Sequence, residues 1–316
     1  MIAAFRVNVG TDYTNYIYIY IKNANTSFIE WFMRSRSFSG TRFLVWLIGY
    51  LAGIFRSKEV FFGIFSCITV IPVAKTLRNE YNNSICFLSY FIFLMTLYMT
   101  SLNICKQLAA ASIVFWGLRY VYERKFLKYC FIIFVASMLH VTAIISIFMY
   151  FLYDYKKNFF SRKRIFAFTL GVILVLLFPK LLCFMGRRFG NYLFFRGEIS
   201  NKSFILEVLW NIVFLLLYNS YVKLNSKNSF FITMSVVGLL LSITGFYSPF
   251  IKRIALYYTF PQFLLIAQLP YIKNFRCYRN IIQFYILFYV IFIFIFVFYI
   301  LGQGNVIPYS FFGGTL

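Results

Sequence analysis

The chain has 316 residues, 62% hydrophobic and only 12% charged, with a mean hydropathy of +0.78; this excludes an ordinary water-soluble domain and leaves an integral membrane protein. Thirty-one Lys and Arg stand against eight Asp and Glu, a formal charge of +23, and their scatter between apolar runs argues against nucleic acid and for contact with membrane lipid headgroups. Six cysteines without a CxxC, one histidine and two aspartates without a DxD give no disulfide framework, no zinc site and no carboxylate pair for the cation of nucleotide-sugar transfer, so no cofactor and no metal are expected.

In chain order, residues 1–40 are polar and read as an outward N-terminal segment. No apolar run precedes them, and Ala3-Ala4-Phe5-Arg6 reads as the tail of a first helix that is lacking. Apolar runs then follow at approximately 42–56, 60–77, 84–101, 103–121, 129–153, 164–184, 204–222, 229–246, 251–272 and 280–301. They are continuous rather than alternating, so they predict helices and not a barrel. The expected fold is all-α: a polytopic membrane protein of about 9–10 hydrophobic helices, some broken or re-entrant, in one multi-pass domain over 1–316.

Loop charges orient the C-terminal half. Lys223 and Lys227 flank one loop and Lys273, Arg276 and Arg279 another two crossings later, which puts both on the cytoplasmic side. The 185–203 loop then faces outward although it carries Arg187, Arg188 and Arg196. Cations on the side that should be poor in them call for a function.

The run from Tyr129 to Tyr153 holds the only histidine, His140, and is bracketed by cations: Arg124, Lys125 and Lys128 before it, and Lys156, Lys157, Arg162, Lys163 and Arg164 after it. A single crossing would put one cluster outside. Two half-spans meeting near His140 keep both clusters in the cytoplasm and make the downstream orientation consistent, so a hairpin is expected.

Three separated strings then resemble one family. The first is Phe5-Arg6-Val7-Asn8-Val9-Gly10-Thr11-Asp12-Tyr13, followed by Tyr16. The second is Ser101-Leu102-Asn103-Ile104-Cys105-Lys106-Gln107-Leu108-Ala109, then a helix, a basic turn and Ala136-Ser137-Met138-Leu139-His140. The third is Lys252-Arg253-Ile254-Ala255-Leu256-Tyr257-Tyr258 with a terminal Pro308-Tyr309. In order and spacing they resemble the EpsG family of bacterial polysaccharide polymerases, related in role to Wzy-type O-antigen polymerases. The family's Asn-x-x-Arg-Gln pattern has Lys106 in place of Arg here, which keeps the charge and loses the planar fork.

The resemblance implies a GT-C-like, metal-independent glycosyltransferase of the bacterial cytoplasmic (inner) membrane, with its active site facing the periplasm or outside. Its substrate would be an undecaprenyl-diphosphate-linked oligosaccharide, polymerised for O-antigen or exopolysaccharide, and a chain-length regulator would be a partner. The leaving group is then a lipid diphosphate, so the site must neutralise phosphate charge and orient or deprotonate an acceptor hydroxyl.

Each candidate has an ordinary reading beside that one. His140 serves as acceptor base or phosphate donor, or packs as a hydrogen-bonded ring between helices. Asp12 is the carboxylate assigned to the acceptor, and Arg6 a phosphate ligand; the pair could equally be a loop ion pair. Asn103, Lys106 and Gln107, spaced for one helical face, are a substrate stripe or interhelical glue. Arg253, with Tyr257 one turn on, is a diphosphate-binding catalytic residue or an interfacial anchor, and Arg187, Arg188 and Arg196 bind anionic groups or headgroups. Two other activities suit cationic cavities and broken helices: a flippase or transporter of lipid-linked oligosaccharide, and a membrane acyltransferase that modifies the glycan.

Overall fold

The computed structural model describes residues 2–35, 42–153, 169, 173, 201–244, 249–311 and 314–315. Internal contacts divide the chain into two compact units. One comprises Met1–Gly117, Cys130–Ile144 and Phe284–Leu316; the other comprises Leu118–Tyr129 and Ile145–Gln283. The architecture is all-α, as the composition requires. Strand structure among the described residues is limited to a two-stranded hairpin, Ser310–Phe311 with Gly314–Thr315, near the C-terminus.

In the first unit, the polar opening segment forms two short helices, α1 (Tyr13–Ala24) and α2 (Phe28–Ser35). Ser27 and Glu30 cap α2 reciprocally: the Glu30 amide donates to Ser27 Oγ at 3.3 Å and the Ser27 amide to Glu30 Oε2 at 3.0 Å. Helix α1 lies against α3 (Phe43–Ile54), where Gly49 and Gly53 allow the backbones to close. A Cβ on Gly49 would stand 2.5 Å from Asn23 Cβ, and one on Gly53 2.8 Å from Ala24 Cα. Small residues four apart are how membrane helices approach this closely.

Two long apolar helices follow, α4 (Lys58–Glu80) and α5 (Asn83–Ser101), each long enough to cross a bilayer. Each begins on a side-chain cap: Ser57 Oγ accepts from the Val60 amide at 3.3 Å and Asn82 Oδ1 from the Ile85 amide at 3.0 Å. A π-turn at Leu94–Tyr98 loosens the end of α5, which stops at Ser101. After a short break, α6 (Cys105–Tyr122) resumes in place of the expected run 103–121.

The run around His140 is broken, as its flanking charges require. Helix α7 (Phe126–Ser137) ends just before His140, and α8 (Val141–Leu152) begins just after it as an unusually long 3₁₀ stretch. Residues early in α7 meet residues late in α8. Tyr129 Oη donates to the Ser146 carbonyl at 2.8 Å, the Phe126 and Tyr150 rings lie 4.9 Å apart, and Arg124 donates to the Tyr153 carbonyl at 3.0 Å. That pairing makes the two arms an antiparallel hairpin.

The second unit holds broken spans. Helix α9 (Asn201–Leu216) and α10 (Tyr218–Leu224) meet at 71°. Helix α11 (Asn228–Thr244) is unbroken. The expected run 251–272 is interrupted at Pro261, between α12 (Pro249–Thr259) and α13 (Gln262–Gln268), because proline offers no amide to continue a helix. Polar side chains fasten these pieces. Asn228 donates to Gln268 Oε1 at 2.9 Å, Tyr221 Oη to the Leu265 carbonyl at 2.9 Å, and Ser235 joins Asn211 and Gln262 at 2.8 Å each. Polar atoms within apolar helices are tolerated when paired in this way. The last helix, α14 (Lys273–Ile300), belongs to the first unit from Phe284 onward and, among the described residues, is the longest and most apolar of the three that could cross a membrane unbroken.

Candidate functional site

Three parts of the first unit that are remote in sequence converge on the break between α5 and α6. The turn at Leu102–Ile104 leaves carbonyls at the end of α5 without helical partners. Arg6 supplies one donor: its guanidinium donates to the Leu102 carbonyl and, at 3.0 Å, to Cys105 Sγ, and stacks 4.2 Å over the Phe62 ring. It is 1% exposed, and its Nε makes no hydrogen bond. The partners of Arg6 are thus a carbonyl, a thiol and a ring, and it is not half of a loop ion pair with Asp12. Its charge rests instead on the electronegative end of α5 and on an aromatic face.

Beside Arg6 is a cavity of about 10 Å³, lined in part by Ser66, Thr69 and Ser101. That is close to the least volume that admits one water. The Ser101 and Thr69 hydroxyls already donate to the Tyr98 and Phe65 carbonyls, so what they offer an occupant is lone pairs. A water suits this better than an anion.

Asn103 is the hub. Its Oδ1 accepts from the Thr11 hydroxyl at 2.7 Å and from the Asp12 amide at 3.1 Å. The neighbouring amides of the same loop are also engaged: Gly10 donates to the Asn305 carbonyl at 2.9 Å and Thr11 to the Gly304 carbonyl at 3.0 Å. Further along, the Val7 amide donates to the Ser310 carbonyl at 3.0 Å, and Arg6 bridges to Phe311. The segment after α14 therefore lies as a strap along residues 6–11. Beneath it Ala3, Val9, Leu102, Phe298 and Val306 form an apolar plug.

Asp12 occupies the N-cap position of α1 without capping it. An aspartate there ordinarily accepts from the amides of the first turn. Here the carboxylate instead accepts from the Asn15 side chain at 3.3 Å. The half-buried Asp12 side chain is thus placed by its backbone and keeps its oxygens for something other than the helix start.

Lys106 lies in the first turn of α6, where the helix dipole favours anions and disfavours a lysine. Its ammonium sits 5.6 Å over the Tyr16 ring. The Tyr16 phenol accepts from the Lys106 amide, and burial holds that phenol's pKa well above the ordinary range, with the Cys105 thiol adding to the shift. Burial likewise pushes Tyr309, on the strap, up to about 12. Both phenols stay protonated at neutral pH, so neither serves as a base there.

The structure thus brings Arg6, Asp12, Asn103 and Lys106 to one corner. It corrects one detail of the expected stripe: Asn103 is not on a helical face with Lys106 and Gln107. It lies in the break before α6, its side chain turned to the first string, while Gln107 is 2% exposed inside α6. His140 stands at the tip of its own hairpin, half-buried, its Nδ1 2.6 Å from Thr142 Oγ1. Arg253 and Tyr257 belong to the second unit, the first exposed and the second 2% exposed. Arg187, Arg188 and Arg196, and most of the 185–203 loop, lie outside the described residues. The sequence reading missed two contributors. Tyr16 was quoted only as part of a string, and the strap at 304–305 was signalled by no more than the turn-like Gly302-Gln303-Gly304-Asn305.

The family model for EpsG matches residues 1–311. No curated protein and no solved structure matches the chain.

Proposed function

The chain belongs to the EpsG family, a bacterial membrane family of polysaccharide biosynthesis, and from that premise we propose that it polymerises lipid-linked repeat units. In this reading the acceptor hydroxyl attacks the anomeric carbon of the donor glycan. The new C–O bond forms as the bond to the lipid diphosphate breaks, and the hydroxyl proton passes to a base. Asp12 is that base, because its carboxylate is placed by the corner and not consumed as a helix cap. Lys106, at the amino end of α6, faces the diphosphate, where a cation and the helix dipole together stabilise the leaving charge.

Arg6 takes part at one remove. It is too deeply buried to touch a lipid diphosphate, but it fixes the break and adds positive potential. His140 is the second candidate for acceptor chemistry. The observation that carries the reading is the convergence of Arg6, Asp12, Asn103 and Lys106 on one helix break.

Undecaprenyl diphosphate is the proposed carrier, and the outer face of the cytoplasmic membrane the proposed side. The loop charges support the side, the family supports the carrier, and a chain-length regulator is the proposed partner. Deleting the gene in the producing strain should leave the carrier lipid and the surface glycan bearing single repeat units. An unchanged chain-length distribution overturns the proposal. Repeat units trapped on the cytoplasmic face would identify a flippase, and polymer of normal length lacking acyl groups an acyltransferase.

A further inference from the structure

We propose that Gly304, on the C-terminal strap, is a positioning residue for the transfer reaction and acts through Asn103 on Asp12. The inference rests on the polymerase reading for the activity it would tune.

Three consecutive amides, of Gly10, Thr11 and Asp12, donate to three acceptors: the Asn305 carbonyl, the Gly304 carbonyl and Asn103 Oδ1. The loop that carries the carboxylate therefore has its shape dictated from outside, by the strap and by one side-chain amide. With Oδ1 taking two donors, the Asn103 amide plane is fixed, and its Nδ2 edge faces the strap. A Cβ built on Gly304 would lie 3.2 Å from Asn103 Nδ2 and 3.6 Å from Asn103 Cγ. That contact is tight enough that the amide must give. Because the same amide holds the Asp12 nitrogen, a shift at one edge is passed to the other.

Gly304 also has φ +75°, so a side chain there is strained whatever the space around it. The same strap provides the matched control. Gly302 has φ +58°, but a Cβ on it meets nothing within 4 Å. Alanine at either position incurs backbone strain of the same kind; at 304 alone it also presses on Asn103.

The test feeds single lipid-linked repeat units, extracted from the gene-deletion strain, to membranes carrying the full chain or its variants, and follows the rate of chain growth. Gly304→Ala and Asn103→Ala should each slow growth by about tenfold or more, since small misplacements of a reacting group carry penalties of that order. Gly302→Ala should stay within about twofold of the unaltered chain, strain alone being common to both. Gly304→Ala combined with Asn103→Ala should be no slower than Asn103→Ala, as expected of residues acting in series.

Equal behaviour of Gly304→Ala and Gly302→Ala overturns the proposal, as does a double variant whose losses multiply. If Gly304→Ala fails to accumulate in the membrane, Thr11→Val and Asn103→Ala carry the test, and unaltered rates in both overturn it. Asp12→Asn separates the two levels. Growth within about tenfold of the unaltered chain with Asp12→Asn defeats the role of Asp12 and with it this inference. A fall of about a thousandfold with Asp12→Asn, together with full activity of Gly304→Ala, defeats the inference alone.

Discussion

Two helix breaks in the first unit carry candidate chemistry, and the bonds seen at them span very different lengths of chain. The break at Leu102–Ile104 is closed from a distance: Arg6, Thr11 and Asp12 reach it across more than ninety residues of chain, and the strap binds the same loop from the other terminus. The break at His140 includes bonds of short range. Thr142 is two residues away, Ser137 bonds the Phe134 carbonyl, and the Ala143 amide donates to the His140 carbonyl at 3.0 Å. A corner built from remote parts can set a side chain with little freedom, because several independent contacts must fail before it moves. A local turn mainly sets the direction of its own ring. On the proposed reading the exacting geometry belongs to Asp12, whose loop is held by Asn103 and by the strap.

Four substitutions would break or sharpen that contrast. The largest effect is expected from Asp12→Asn, which keeps the amide bonded to Asn103 and removes the proposed base. Chain growth should fall by about a thousandfold, within the range general bases supply, measured as repeat units added per unit time in membranes. Activity within tenfold of the unaltered chain would move the acceptor chemistry to the hairpin. Next is Arg6→Ala, which leaves the Leu102 carbonyl and the Cys105 thiol without their donor and opens a cavity over Phe62. Thermal unfolding of the detergent-solubilised chain should show a loss of about 3 kcal/mol. A loss below about 1 kcal/mol would mean the corner does not depend on this guanidinium. The smallest effect belongs to Thr142→Val, which should slow growth by less than about tenfold because the ring keeps its backbone turn. His140→Gln should be slower than Thr142→Val. The reverse order would make the hydroxyl, not the imidazole, the functional group at the hairpin tip.

How much of this was legible in the sequence depended on whether the information lay in side chains. The hairpin at His140 could be read from charge, since Arg124, Lys125 and Lys128 before it and the basic run after Tyr153 cannot both be inside unless the chain turns back. Arg6, Asp12, Asn103 and Lys106 stood out as polar residues in patterned strings, and the structure gathers those four. Their mutual geometry was less visible. Asn103 was assigned to a helical face on spacing alone, yet the π-turn at Leu94–Tyr98 and the end of α5 put it in a turn. The strap was the least legible part. Gly304 and Asn305 contribute backbone carbonyls, and a carbonyl is carried by every residue, so composition and motif say nothing about it. The breaks at Leu217 and Pro261 fall between these extremes, since proline announces one and nothing in the residue types announces the other.

The strap also sets a schedule. Ser310 lies 303 residues after the Val7 carbonyl it bonds, and at about 5–20 residues per second that separation takes roughly 15 to 60 s to synthesise. Throughout that interval the loop bearing Asp12 is already made while the carbonyls that shape it are not. The corner is therefore finished only once Gly304 and Asn305 have left the ribosome, and nascent chains halted before Gly304 would hold Arg6, Asp12, Asn103 and Lys106 without the strap carbonyls that bond the loop.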